Sequence, residues 1–275
     1  MSSLTAAILL LALGPAPASP EPDNRAEADE ARLLAEQEVA ALELSLGGDP
    51  ADKLRLQKAP VLRWTNQLKR RFYGDVFVWT RGGRPEVVAS VTNVFGTRRA
   101  MEVELHSLSL GQPTMERSGQ FVWRPGRAGI EFQAVPEAPA PAGSSALRGR
   151  QLQTLAGQFS ASARSGEDRT ELRLLPRPLF RHASTDPQVL DGALFALVKG
   201  TDPDVFLLLE ARRIAGDFQW QYAIARFSGS SDLRVEHRHV EVWRADKLTS
   251  RANQDPQEIY FGLRTTLPEA NTDRR

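Results

Sequence analysis

The 275-residue chain has no cysteine. That absence excludes disulfides, thiolate zinc sites, cysteine nucleophiles and cysteine-linked lipid anchors. Small exported domains often depend on disulfides, so this chain must be held by packing alone. An excess of one charge is missing as well. The formal net charge is +1, which gives no field to recruit nucleic acid or an acidic membrane. No basic stripe with interleaved aromatics appears, and nucleic acid is not an expected partner. Long apolar runs are absent beyond Leu4 to Leu13, a stretch too short to span a bilayer comfortably. No G-x-G-x-x-G, Walker loop, H-E-x-x-H or calcium loop is present, and there is no G-x-S-x-G. The stretch TDPDV (201–205) has two aspartates but lacks the other oxygen ligands of a calcium loop; it reads as a turn shaped by proline. No cofactor and no metal are expected.

What the chain does have is a repeat. LRLQKAPVLRWTN (54–66) matches LRLLPRPLFRHAS (172–184) at an offset of 118 residues, which holds without a gap as far as Thr92 and Glu210. The identical positions include Pro60 and Pro178, Arg63 and Arg181, Gly74 and Gly192, Phe77 and Phe195, and Gly82 and Gly200. The offset then drifts to 120, where ERSGQFVWR (116–124) matches EHRHVEVWR (236–244). A fixed period of this kind shapes any reading of the fold.

The chain divides accordingly. Residues 1–18 read as a signal peptide, with the apolar Leu4–Leu13 core followed by Ala16-Pro17-Ala18 as the cleavage motif. The mature protein is expected to be soluble and exported, periplasmic or extracellular. Residues 24–135 form the first copy, PEAPAPAG (136–143) a stiff Pro/Ala linker, 144–268 the second copy, and 269–275 a disordered tail. Leu33, Leu34, Ala40, Ala41 and Leu44 recur at helical spacing and predict a helix over Arg25 to Leu46. Ser144 or Ser145 is expected to cap a second helix carrying Leu152, Leu155 and Phe159 on one face. Short Val-, Phe- and Leu-rich runs after each helix predict strands, with TRGGRPE (80–86) and KGTDPD (199–204) as hairpin turns. The expected fold class is α+β: two tandem repeats, each one helix followed by an antiparallel meander, packed as a pseudo-symmetric pair.

The segments RLLPRPLFRH (173–182) and DGALFALVKGTDPDVFLLLEARR (191–213) resemble a family of uncharacterised exported proteins of planctomycete-type bacteria. The resemblance runs through most of the mature chain and implies no activity, so it assigns no site residue. The element order is also similar to cystatin-like and NTF2-like architectures, an analogy that does not fix function.

Several residues invite a chemical reading. His182 and Asp191 stand where the first copy has Trp64 and Tyr73. Together they could serve acid–base catalysis, with the carboxylate orienting the imidazole; a polar strand end and a turn-starting aspartate are the simpler and preferred reading. Arg63 and Arg181, and the pairs Trp123-Arg124 and Trp243-Arg244, occur in both copies. Duplication favours scaffold, with Glu116 and Glu236 as cross-strand partners of the arginines; otherwise these residues form an Arg/Trp surface that grips a glycan or peptide. His237 and His239 align with a hairpin turn, which argues against a metal pair. The central hairpins are apolar at successive positions, so both faces need cover, from the other copy, a partner or an apolar ligand. The second hairpin, richer in Leu, is expected to be the better buried. The functional reading is a non-enzymatic binding or structural module with an unknown protein, glycan or small apolar ligand as partner. Its competitors are a hydrolase or isomerase using His182 and Asp191, and a carrier of a small apolar ligand.

Overall fold

Val76-Phe77-Val78-Trp79 and Leu194-Phe195-Ala196-Leu197 contain no polar residue, so strands built from them need cover on both faces. The computed structural model supplies it; residues 22–48, 50–66, 71–96 and 98–268 are described. The expected signal peptide and C-terminal tail lie outside the described residues.

The first half runs α1 (Pro22–Ala40), β1 (Leu42–Leu46), a 3-10 turn (Pro50–Asp52), β2 (Arg55–Leu56), β3 (Leu62–Asn66), β4 (Arg71–Arg81), β5 (Arg84–Phe95), β6 (Ala100–Ser107), β7 (Pro113–Arg117), β8 (Gln120–Trp123) and β9 (Gln133–Ala134). The second half runs α2 (Ser145–Ala156), β10 (Phe159–Ser165), β11 (Asp168–Leu174), β12 (Phe180–His182), β13 (Val189–Lys199), β14 (Asp202–Ile214), β15 (Asp217–Arg226), β16 (Asp232–His237), β17 (Val240–Ala245), a 3-10 turn (Ala252–Gln254) and β18 (Tyr260–Thr266).

Sequence reasoning expected α+β repeats, and the structure corrects this. The protein is mostly β, 53% strand against 14% helix, with large antiparallel sheets that include a half-barrel. Nor is either half a self-contained helix-plus-meander unit. A nine-stranded sheet has the order β17-β16-β10-β11-β13-β14-β15-β9, with β12 also on β13. A six-stranded sheet has the order β18-β6-β5-β4-β2, with β3 also on β4. The last strand of each half therefore belongs to the sheet of the other: β9 pairs with β15, and β18 with β6. The halves also differ within themselves. In the second, β10 joins β11 and β16 in one continuous sheet. In the first, Gly47, Gly48 and the 3-10 turn separate β1 from β2, which leaves β1-β7-β8 as a separate three-stranded sheet.

Helix α1 stops at Ala40 rather than Leu46 because Leu42, Leu44 and Leu46 alternate with polar residues, a period of two that suits a strand. Leu42 and Leu44 are buried by it. Helix α2 is capped as expected, with Ser144 Oγ accepting from the Leu147 amide. Phe159, expected on that helix, instead opens β10. The Pro/Ala stretch before α2 is fastened to it: Arg148 donates to the carbonyls of Ala142 and Gly143, and Gln151 to that of Ala140.

Three cores result. Phe77, Trp79, Val87 and Ala89 face α1 and the three-stranded sheet. Phe195, Leu197, Val205 and Leu207 face α2. The alternate residues of both hairpins, Val76, Val78 and Val88 with Leu194, Ala196, Phe206 and Leu208, meet in a core between the sheets. Each half thus covers the second face of the other. Burying a Leu or Phe side chain is worth roughly 1.5–3 kcal/mol, so this layer binds the halves firmly. The first hairpin proves as buried as the second: Trp79, Thr80 and Ser90 are all shielded from solvent. Irregularities recur at matching positions. The β4–β5 ladder slips between Trp79 and Thr80, and the β13–β14 ladder between Leu197 and Val198.

Candidate functional site

The inter-sheet layer is polar at both ends, and the ends differ. At one end Glu210 is fully buried and surrounded by cations. Its Oε1 is 2.9 Å from Arg84 Nε and 3.2 Å from His182 Nε2, and its Oε2 is 2.7 Å from Arg212. Burial raises the Glu210 pKa, but the His182, Arg84 and Arg212 interactions prevail and hold it below the usual range. At the other end Glu104, Asp202 and Asp204 act on one another electrostatically, and Lys199 bears on Asp204 alone. Burial pushes Glu104 up to about 7 and Asp204 to about 6, while hydrogen bonds from Tyr260 and Ser228 act the other way.

These contacts decide the sequence-predicted catalytic pair. His182 and Asp191 do not meet. His182 belongs to Glu210, and Asp191 is held by Arg148 at 2.9 Å and Arg181 at 2.8 Å. The His182 ring packs over Gly192, where a Cβ would come within 2.5 Å of it, just as Trp64 packs over Gly74. Both rings cover a glycine on the neighbouring strand, so His182 has a packing role that its aromatic counterpart shares.

The proposed Arg/Trp surface is likewise dispersed. Arg63 pairs with Asp75 at 2.8 Å. Trp123 is buried and donates to the Glu258 carbonyl, and Arg124 bonds Thr114 rather than Glu116. In the second half Arg244 pairs with Glu241 rather than Glu236, which binds Arg234. His237 is buried on Gln158 and Phe159, while Arg238 and His239 form the turn with φ of 49° and 68°.

Trp243 and Arg244 do reach a site that sequence reasoning missed: a cleft of about 640 Å³ where the two halves exchange strands. Its floor is Tyr222, Ile224 and Arg226 of β15, with His106 of β6 and Tyr260 of β18. One wall is Val242 to Ala245 of β17, at the far end of the same nine-stranded sheet. The cleft therefore lies in the open seam between the two edges of that sheet. Its opposite wall is the segment leading into β9. There Gly129 crosses β6 so closely that a Cβ would meet the Ser107 carbonyl oxygen at 2.0 Å, and its amide bonds the Ser109 carbonyl. This pulls the segment off β15, and β9 pairs with only Gln221 and Tyr222.

The floor is cationic. Arg226 is 7% exposed and, among the described residues, its guanidinium donates only to the carbonyls of Ser228 and Asp246. Its guanidinium lies over the Tyr260 ring, a favourable cation–π placement. Asp246, Glu258 and Asp232 act on it electrostatically, yet among the described residues none forms an ion pair with it. Burial pulls its pKa below the ordinary range. Beside it, His106 Nδ1 donates to the Ser107 carbonyl, and burial, with Arg226 and Arg127, lowers its pKa to about 4. His106 is therefore neutral at ordinary pH, its Nε2 an acceptor with no hydrogen bond among the described residues. Arg127 and Arg244 stand at the rim with Glu131 and Glu258. No family model, no curated protein and no solved structure matches the chain.

Proposed function

We infer that the chain is an exported, non-enzymatic binding module and that the cleft between its halves is the ligand site. The observation that carries this reading is the cleft floor, where a buried arginine without a carboxylate partner lies among aromatic and aliphatic side chains. A concave site with a few convergent polar groups is the usual form of a ligand pocket. The space between the sheets is filled by side chains, which favours this module over a carrier that encloses an apolar ligand. The groups suited to acid–base work, His182 and Glu210, are buried in mutual contact, which supports binding rather than catalysis. Export rests on the Leu4–Leu13 run and Ala16-Pro17-Ala18; N-terminal sequencing from the native host should begin near Ser19, and a retained Met1 would refute it. Binding is tested by titrating 2-naphthoate while following Trp243 emission. A saturable change lost in Trp243→Phe and weakened at least tenfold in Arg226→Gln is expected. No saturable change at millimolar ligand would remove the cleft as a ligand site.

A further inference from the structure

The edge of β15 beyond β9 bears on what the cleft takes. In an antiparallel ladder the amide and carbonyl of alternate residues point to opposite neighbours. Phe227 donates to Asp204 on the β14 side, and the Trp220 carbonyl accepts from Val135 on the β9 side. The β14–β15 register runs without a slip. The main-chain groups of Tyr222, Ile224 and Arg226 consequently all face β9. Only Tyr222 finds a partner strand there, at Gln133. The amides and carbonyls of Ile224 and Arg226 face the cleft, with no hydrogen bond to them among the described residues. The equivalent edge in the other sheet is closed completely: β18 covers β6 from Ala100 to His106.

Unpaired backbone in a walled groove is a template for an added strand. Resting on the binding role inferred above, we propose that the cleft takes an extended acidic peptide, added to the β15 edge as a strand with a carboxylate side chain opposite Arg226. Two residues of free edge offer two donors and two acceptors, which fixes the peptide backbone. Directly opposed charges on adjacent strands attract, and Arg226 is a buried cation with no carboxylate of its own. Arg127 at the mouth adds a second cation, which has no ion pair among the described residues. Trp243 and Val242 form the wall against which alternate apolar side chains of the peptide would lie.

The test uses fluorescein-labelled hexapeptides of alternating valine and glutamate, the same peptide with glutamine for glutamate, and a version N-methylated at alternate residues. Fluorescence anisotropy should show saturable binding of the first, at least tenfold weaker binding of the second and none of the third. Ile224→Pro removes a single amide that faces the cleft and not the β14 ladder, and proline is tolerated at such an edge. It should abolish peptide binding while the far-UV circular dichroism spectrum and the cooperative thermal melt of the protein are retained. Equal binding of the N-methylated peptide, or normal peptide binding by Ile224→Pro, overturns strand addition. Equal binding of the glutamine peptide overturns the role given to Arg226. If Ile224→Pro does not fold, the N-methylated peptide decides. If naphthoate binds and no peptide does, strand addition fails while the cleft stands as a site; if neither binds, both readings fail.

Discussion

His182 Nε2 stands 3.2 Å from Glu210 Oε1, and neither side chain meets solvent. Glu210 shares that carboxylate with Arg84 and Arg212, so neutralising it takes the carboxylate from Arg212 and leaves Arg84 with Glu86 alone, 3.0 Å away. Breaking a buried ion pair from one side costs about 3–5 kcal/mol. Glu210→Gln should destabilise by an amount in that range in denaturant titration, and a loss below about 1 kcal/mol would show that water reaches the cluster.

Leu208 belongs to the inter-sheet core, and among the described residues the Ser90 hydroxyl bonds only that of Thr92, at 3.4 Å. Truncating a packed leucine costs about 2–5 kcal/mol. Leu208→Ala should fall in that range, while Ser90→Ala should change stability by less than about 1 kcal/mol. Urea midpoints of the two variants separate a packed inter-sheet layer from a loose one.

Stability should fall as pH rises from about 5 to about 7.5. Glu104 and Asp204 have folded pKa values raised to about 7 and about 6. The folded protein therefore holds protons that the unfolded chain has released, an advantage lost as pH passes through those values. His106, with a folded pKa lowered to about 4, works the other way up to about pH 6.5 and offsets part of this, so the net loss across the window should be roughly 1–3 kcal/mol. Thermal melts at pH 5.5 and 8 measure it, and Glu104→Gln should shrink the difference. A melting temperature higher at pH 8 would mean that the acidic end is hydrated.

Of the five tryptophans, Trp64, Trp79, Trp123 and Trp220 are no more than 7% exposed, whereas Trp243 is half-buried at the cleft wall. Acrylamide should quench a minor part of the emission, and Trp243→Phe should abolish that part. Unchanged quenching in the variant would place Trp243 away from solvent.

The sequence made the hairpins legible because their cues are local. The turns hold Gly82 and Gly200, whose φ values of 55° and 66° favour glycine, and the cap at Ser144 lies three residues from the amide it accepts from. Alternating leucines also carried the signal for β1, though the helical spacing of the preceding residues masked it. The strand exchange left no local trace. Phe261 and Leu105 pair across 156 residues, and nothing in either strand names its partner. The cleft was hidden for the same reason, since it exists because Gly129 diverts the β9 segment while β18 runs its full length. His182 misled because its partner, Glu210, sits on β14, which only the β13–β14 register brings opposite.

The exchanged strands also set a timetable. The six-stranded sheet receives its outer strand only when Tyr260–Thr266 has been made, so the amino-terminal half cannot close while the chain is still emerging. Pairings of such long reach are slow to form. Until they do, the free edge of β6 stays open to chaperones that accept unfolded chains. A chain ending at residue 255 should thus remain protease-sensitive in its first half as well as its second, and the two halves should acquire resistance together, as one event.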